Sequence, residues 1–170
     1  TTFDVTVTVT DVNGQLTAVT SVTENGNQAE LTFENAYHIT KFTDFDLEGE
    51  KWLYQGNSPI SLGGRSFRFV ILDDTGAVLQ TETADQNGKF AFTQVPLTET
   101  GLNVFTVKEL DDDLGGIGYD STEFTVTVDV ADSGQGDLIA GVPMVTLGGQ
   151  DVALKFNNTY TVTPIPLALQ

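Results

Sequence analysis

Hydrophobic and polar residues alternate one by one along several short stretches of the chain. The clearest stretch is FTVTVDV at 124–130, in which a phenylalanine and several valines occupy every second position. FDVTVTV at 3–9 has the same pattern. Because successive side chains of a β-strand point to opposite faces, this period of two indicates strands with one buried face and one exposed face.

The same pattern, interrupted by turn-forming residues, predicts an all-β fold. Asn-Gly pairs beginning at 13, 25 and 87 mark tight turns between the alternating stretches. No segment is amphipathic over more than about two turns of helix. Many short strands separated by such turns are typical of an immunoglobulin-like β-sandwich. The further strands predicted in this way are 29–37, 39–47, 50–54, 66–72, 77–83, 89–94, 102–109, 138–145, 151–158 and 161–169.

Two regions of the chain repeat one another. TTFDVTVTVTD and LTFENAY, both within residues 1–37, correspond to TEFTVTVDVAD and LKFNNTY within residues 121–160. The valines match at an offset of 121 and the asparagines at an offset of 123, since the second region has a longer turn, SGQGD. We therefore expect a tandem repeat array. Residues 1–37 would be the C-terminal strands of a preceding repeat, 38–160 a complete domain, and 161–170 the linker and first strand of a following repeat.

Composition and charge exclude several classes of function. The chain has 7 Lys and Arg against 24 Asp and Glu, and its net charge is -17. This charge repels phosphate groups, so neither nucleic acid nor an anionic membrane surface is an expected partner. Cysteine is absent and His38 is the single histidine, so we expect no disulfide, no metal or other cofactor and no histidine-based catalytic triad. No apolar run approaches ~20 residues, so we expect no membrane insertion in this segment.

Three polar side chains are predicted on buried faces of different strands. Lys51 lies in LEGEKWLYQG, directly before a tryptophan, a leucine and a tyrosine. Glu109 ends VFTVKE and shares the alternation of the phenylalanine and valine before it. Asn158 follows two residues after the phenylalanine of LKFNN. If the hydrophobic partners point into the core, these three polar side chains point there too.

A buried lysine, glutamate and asparagine can form a covalent bond. Burial disfavours charge, so it lowers the pKa of the lysine and raises the pKa of the glutamate, and a neutral amine becomes accessible. The amine can attack the carboxamide carbon of the asparagine, while the carboxylic acid relays protons and donates a hydrogen bond to the oxyanion. Ammonia leaves and an isopeptide bond remains. Because the protein is consumed by this single reaction, we do not expect an enzyme that turns over.

The sequence also resembles a known family, the streptococcal pilin isopeptide linkage domain of Gram-positive backbone pilins of the T-antigen type. The resemblance covers about 47–160 as a full repeat and 1–37 as the end of another. It rests on KWLYQG, FRFVILDDTGAVLQTETADQNGKFAF, FTVKEL, GIGYDSTEFTVTVDV and LKFNNTY, which are similar to the family's lysine strand, its central hairpin, its glutamate strand, its Y-D motif and its terminal F-x-N strand.

The resemblance implies a CnaB-type immunoglobulin-like sandwich and a role for each site residue. Lys51 and Asn158 would be the bonded pair and Glu109 the catalytic carboxyl. Asn35 would be the equivalent asparagine of the preceding repeat. Lys41, which stands ten residues before Lys51, is the alternative nucleophile.

These observations predict a structural protein of the Gram-positive cell surface or cell wall. The chain would be a repeat unit of a pilus shaft or adhesin stalk, and its partners would be neighbouring repeats of the same array and a host surface ligand. The alternative is a ligand-binding adhesin module for a glycan or host protein, with Trp52, Tyr54 and the loop 57–64 as its contact surface. Burial of the two aromatic side chains would favour the structural protein, and their exposure would favour the adhesin module.

Overall fold

The computed structural model describes residues 1–162, and the strand predicted at 161–169 lies almost entirely outside them. Strands, turns and loops account for all of this part of the chain, which contains no helix. No membrane-spanning helix is therefore found among the described residues. The chain divides after His38 into two compact units.

The first unit is a small antiparallel sheet. Strands β1 (Asp4–Val12) and β2 (Gln15–Glu24) pair along their whole length, and the short β3 (Asn27–Gln28) adds to β2. Asn13 and Gly14 connect the first two strands with positive φ angles of 56° and 82°. This backbone conformation suits a two-residue hairpin turn, and asparagine followed by glycine adopts it at low cost.

The second unit contains two sheets that face one another. The first sheet consists of β4 (Thr43–Gln55), β5 (Ser58–Ile60), β8 (Lys89–Leu97), β10 (Ile117–Gly118) and β15 (Lys155–Tyr160). The second sheet consists of β6 (Arg68–Leu72), β7 (Val78–Thr83), β9 (Gly101–Glu109), β11 (Glu123–Asp132), β12 (Leu138–Ala140), β13 (Met144–Leu147) and β14 (Gln150–Asp151).

Aromatic side chains from both sheets fill the space between them. The ring of Phe69, from the second sheet, stacks on the ring of Phe90, from the first, with centroids 3.9 Å apart. Phe156 packs edge-on against Phe124 with centroids 5.0 Å apart. All four side chains are buried. Burial of this apolar surface is the main favourable term that holds the two sheets together. The all-β, immunoglobulin-like fold class predicted from the alternation is confirmed.

The pairing of β4 with β15 is the feature that builds the site. These two strands lie side by side and run parallel, so that Lys51 is opposite Phe156 and Leu53 is opposite Asn158. β4 is the first strand of the second unit and β15 is the last one described. The parallel arrangement therefore brings residues that are far apart in sequence to neighbouring positions in one sheet.

Some strand predictions differ from the structure. The segments 39–47 and 50–54 are largely one continuous strand, β4, and β2 was not predicted because its hydrophobic residues do not follow a regular alternation. The strand predicted at 29–37 is wrong, since these residues form no ladder. Their counterpart β15 is a strand because it pairs with β4, and the first unit contains no counterpart of β4.

Candidate cross-linking site

Lys51 points into the core because of its place in the alternation of β4. Its neighbours on the same face of the strand are Leu53 and Gly49, and all three residues are buried. The Lys51 backbone N–H donates a 2.6 Å hydrogen bond to the carbonyl of Gly88. Gly88 has a φ of +78°, and a Cβ at this position would lie 2.2 Å from the Lys51 carbonyl oxygen. Only glycine permits this close approach, which fixes β4 at the level of Lys51.

Glu109 and Asn158 reach the same region from the other two strands. Glu109 is the last residue of β9 and follows Phe105 and Val107 on its buried face. Asn158 lies on β15 two residues after Phe156 and is 0% exposed. The structure thus brings Lys51, Glu109 and Asn158 together between the two sheets, with the Lys51 and Glu109 side chains both fully enclosed.

The carboxyl group of Glu109 contacts both of the other side chains. The Lys51 Nζ donates a 2.8 Å hydrogen bond to Oε2 and also lies 2.8 Å from Oε1. The Asn158 Nδ2 donates a 2.9 Å hydrogen bond to Oε1. The buried ring of Phe67 lies with its centroid 5.1 Å from the Lys51 Nζ. One carboxyl group can therefore exchange protons with the amine on one side and with the carboxamide nitrogen on the other.

Asp120 supplies contacts that the sequence did not predict. Its backbone N–H donates a 2.7 Å hydrogen bond to Oδ1 of Asn158 and a longer one, 3.3 Å, to Oε2 of Glu109. The sequence predicted that Glu109 stabilises the oxyanion. In the structure, the group that contacts Oδ1 of Asn158 is the backbone N–H of Asp120. A donor at this oxygen polarises the carbonyl and matches the charge that develops during attack by an amine.

The side chain of Asp120 holds that N–H in place. Oδ2 accepts a 2.7 Å hydrogen bond from the backbone N–H of Asn157, and Oδ1 accepts from both the N–H and the hydroxyl of Thr122, at 3.0 and 2.5 Å. Burial raises the pKa of this carboxyl, but the hydrogen bonds from Asn157 and Thr122 outweigh burial, and the pKa is lowered. The ionised carboxylate therefore ties β15 to the turn that carries the donor.

Burial shifts the pKa values of Lys51 and Glu109 in the directions that favour the neutral forms of both side chains. Removal from water lowers the pKa of Lys51, and the hydrogen bond that Lys51 donates to Glu109 opposes this effect without cancelling it. Removal from water raises the pKa of Glu109 against the opposing contacts of Lys51 and Asn158. A neutral amine is favoured as pH rises above the lowered pKa of Lys51, and a neutral acid is favoured as pH falls below the raised pKa of Glu109. Both shifts favour transfer of a proton from the Lys51 ammonium to the Glu109 carboxylate, which would place a neutral amine beside a neutral acid.

The other residues singled out in the sequence lie outside this site. Lys41, the alternative nucleophile, is largely exposed and its Nζ lies 3.3 Å from Asp137 Oδ2. Asn35 belongs to the first unit and is exposed. Within residues 1–162, no group of three or more His, Cys, Asp or Glu side chains is arranged to hold a metal ion.

The aromatic residues beside Lys51 lie on the opposite, outer face of β4. Trp52 is 38% exposed, and its Nε1 donates a 2.9 Å hydrogen bond to Glu50. The Nζ of Lys155 lies 4.3 Å from the Trp52 ring centroid, and Tyr54 stacks beside it with centroids 6.3 Å apart. The exposure of Trp52 is the condition that the adhesin alternative requires. The Nζ of Lys155, from β15, occupies part of one face of the Trp52 ring, so a ligand that stacks on this face would have to displace it.

Solved structures of Gram-positive pilins have the same fold. The chain matches the major pilin from Streptococcus pyogenes with 21% identity and a TM-score of 0.51, over 71% of this chain and 51% of the pilin. The major pilin T-13 of Streptococcus pyogenes matches with the same identity and TM-score, over 71% of this chain and 54% of the pilin. The chain thus spans about half the length of the pilins it matches. No curated protein matches the chain.

Residues 47–161 match the family described as the Spy0128-like isopeptide containing domain, FctA. The match covers more than half of the chain and includes Lys51, Glu109, Asp120 and Asn158. The chain belongs to this family.

Removal of the Asp120 side chain is expected to slow any bond between Lys51 and Asn158. In Asp120→Ala the backbone N–H remains, but the contacts that position it are lost, and we expect a rate about 10- to 100-fold lower. Intact-mass spectrometry at intervals after purification measures the fraction of chain that retains the mass of the unreacted protein. Asp74→Ala, which removes an exposed carboxylate from a turn, is the matched control. Equal rates in the two variants would contradict the positioning role of Asp120.

Proposed function

We propose that this chain is part of a structural protein of a Gram-positive cell surface, a pilus shaft or adhesin stalk, and that its complete domain is locked by an isopeptide bond between Lys51 and Asn158. Membership in a pilin-type isopeptide family supports a structural role over a conventional enzyme. The observation that carries the proposal is that the buried Glu109 carboxyl contacts both the Lys51 amine and the Asn158 carboxamide, at 2.8 and 2.9 Å.

The reaction begins with transfer of a proton from the Lys51 ammonium to Glu109. Desolvation favours the neutral forms of both groups, so the transfer requires no external base. The neutral Nζ then attacks Cγ of Asn158, and negative charge develops on Oδ1. The backbone N–H of Asp120, 2.7 Å from Oδ1, stabilises this charge.

The second step releases ammonia. Glu109, protonated in the first step, delivers its proton to Nδ2 of Asn158, which lies 2.9 Å from Oε1, and then accepts a proton from the attacking nitrogen. The Cγ–Nδ2 bond breaks, a new Cγ–Nζ amide remains, and Glu109 returns to its acid form. No electrons are exchanged and no cofactor enters. Amide exchange is very slow without a catalyst. The folded sandwich would accelerate it by holding the reacting groups in contact, without a strong reagent.

The position of the proposed bond suits a protein that is held under tension. It joins β4 to the parallel strand β15, so tension that enters along one strand leaves along the other through a covalent link. The bond closes a loop of about 107 residues, and by analogy with a disulfide this stabilises the fold by about 4 to 5 kcal/mol through the unfolded state. A chain without cysteine thereby gains a permanent cross-link that reducing agents do not break.

The proposed setting follows from this role. The segment would lie outside the cell, and its partners would be neighbouring domains or subunits of the same assembly. A host ligand is a further possible partner of the assembly, and the Nζ of Lys155 over the Trp52 ring leaves less of the aromatic surface beside Lys51 for such a ligand to contact. The protein acts once, in forming its own bond, and has no turnover.

The mass of the intact chain tests the bond directly. The wild-type chain is expected to be about 17 Da lighter than its sequence mass, since one ammonia is lost. Lys51→Ala, Asn158→Ala and Glu109→Ala are each expected to show the full sequence mass. Lys41→Ala and Asn157→Ala are the controls and should keep the deficit. Circular dichroism checks that each variant remains a β-protein.

Two results of the mass measurement would contradict the proposal. A deficit that persists in Glu109→Ala would remove this carboxyl from the reaction. A deficit that disappears in Lys41→Ala, but not in Lys51→Ala, would assign the bond to the surface lysine.

Single-molecule stretching tests the mechanical role. With handles at the two termini, the wild-type chain should not release the segment between Lys51 and Asn158. Glu109→Gln should release it and gain up to about 37 nm of contour length, the span of about 107 extended residues. Glu99→Gln, at an exposed position, should behave as the wild type. The same gain in both the wild type and Glu109→Gln would show that tension does not pass through the bond.

A further inference from the structure

The 61–67 segment, which connects β5 to β6, sends two buried side chains toward the cross-linking site. Leu62 is 4% exposed and Phe67 is 0% exposed, although no residue of the segment belongs to a strand. The Phe67 ring lies beside the Lys51 amine and also packs edge to face against Tyr119, with ring centroids 6.2 Å apart. Because Tyr119 immediately precedes the oxyanion donor, the segment reaches both the nucleophile and the turn that carries this donor.

Arg65 connects the 61–67 segment to β15. Its Cζ lies 4.4 Å from the centroid of the Tyr160 ring, a distance at which the ring attracts a guanidinium. Its Nη1 and its backbone N–H donate hydrogen bonds of 3.0 and 3.1 Å to the carbonyl of Leu62. One arginine therefore links the buried leucine of the segment to the end of the strand that carries Asn158.

A second contact connects the 61–67 segment to the turn that fixes β4. The backbone N–H of Gly64 donates a 3.2 Å hydrogen bond to Oε1 of Gln86, which lies two residues before Gly88. An open cavity of about 210 Å³ is lined by Lys51, Leu62 and Gln86, among other residues. Water can fill such a space, yet the Lys51 side chain is fully enclosed. Leu62 therefore belongs to the wall between solvent and the buried amine.

We propose that the 61–67 segment is a cover that keeps water out of the cross-linking site, and that Arg65 is a positioning residue that holds it closed through Tyr160. Tyr160 lies two residues after Asn158 on β15, so the cover closes fully only when the strand with the acceptor is in place. Closure would thus link the dryness of the Lys51 amine to the arrival of its partner. The inference rests on the reaction proposed for Lys51 and Asn158.

Exclusion of water determines whether the Lys51 amine can react. The charged groups that act on it are Glu109, from β9, and Asp120, from the turn before β11, and both favour its charged form. The 61–67 segment contributes the uncharged ring of Phe67. Removal from water outweighs both charges and lowers the pKa of Lys51. An open cover would solvate the ammonium and raise this pKa, so less neutral amine would be available for attack.

Protection of the Lys51 amine tests the cover in a chain that cannot react. Glu109→Gln keeps the shape of the site and blocks the bond, and the largely exposed Lys41 is the internal reference. Brief acetylation followed by peptide mapping measures the labelling of Lys51 relative to Lys41. In this background we expect Arg65→Ala to raise the ratio about tenfold. Lys108→Ala removes one positive charge from a partly exposed position on β9 and should leave the ratio unchanged.

A double-mutant cycle isolates the contact between Arg65 and Tyr160. Tyr160→Leu removes the ring and should raise the labelling of Lys51 as Arg65→Ala does. The two changes together should raise it no further than the larger of the single effects, because both remove one contact. Single effects that multiply would overturn the contact as the means of closure. Labelling of Lys51 that is the same with and without Arg65→Ala would overturn the role of Arg65.

The pKa of Lys51 distinguishes loss of the cover from a general loss of stability. Titration of Lys51 Cε by 13C nuclear magnetic resonance in the Glu109→Gln chain should show a lowered pKa, and Arg65→Ala should raise it toward the ordinary value of a lysine. An unchanged pKa would overturn the exclusion of water by the segment.

The rate of bond formation connects the cover to the reaction. In the chain that keeps Glu109, we expect Arg65→Ala to form the bond about tenfold more slowly than the wild type, measured by intact mass at intervals after cell-free synthesis is stopped. Equal rates would overturn the role of Arg65 in the reaction. A wild-type chain that loses no ammonia would instead overturn the proposed function, and the labelling of Lys51 would still test the cover.

Discussion

The contact between the Lys51 amine and the Glu109 carboxyl, made out of reach of water, is the constraint on which the site depends. A buried ion pair recovers little of the cost of removing two charges from solvent. Neutralisation by proton transfer lowers this cost, and it leaves an amine that can react and an acid that can assist. Conversion of the amine and the neighbouring carboxamide into one neutral amide would remove the ionisable amine for good. The cost of burying the charged amine would thus be a driving force for the proposed reaction.

The topology determines which residues can meet in this way. β4 and β15 are distant in sequence but adjacent and parallel in one sheet, while β9 comes from the opposing sheet. The Lys51 and Asn158 side chains therefore approach from neighbouring strands, and the Glu109 carboxyl meets both from across the core. Gly88 and Asp120 hold this arrangement from the two sides. Gly88 is in close contact with the Lys51 backbone, and Asp120 donates a hydrogen bond to Oδ1 of Asn158 and accepts one from the backbone N–H of Asn157. A shift of either strand by one residue would turn a reacting group to the outer face.

Much of the fold and of the site could be predicted from the sequence. An alternation with a period of two indicates both a β-strand and the face to which each of its side chains points. The alternation placed Lys51, Glu109 and Asn158 on buried faces, and the repeat identified Asn35 as a counterpart. The role of Asp120 could not be predicted, because its contribution to Asn158 comes from a backbone N–H, which every residue other than proline possesses. Two signals were present in the sequence, the Y-D motif of GIGYDSTEFTVTVDV, to which no role was assigned, and an aspartate followed by Ser-Thr, a common pattern of turns. The strand predicted at 29–37 was wrong for a different reason, since an alternating segment becomes a strand only when another strand pairs with it.

Nuclear magnetic resonance of a chain labelled with 15N and 13C tests the central claim at the atoms concerned. If the bond has formed, the Lys51 Nζ is an amide nitrogen that carries one proton and correlates with both Lys51 Cε and Asn158 Cγ. The paired proton signals of the Asn158 carboxamide are then absent. A Lys51 Nζ that titrates as an amine, beside an Asn158 side chain that keeps both amide protons, would contradict the account.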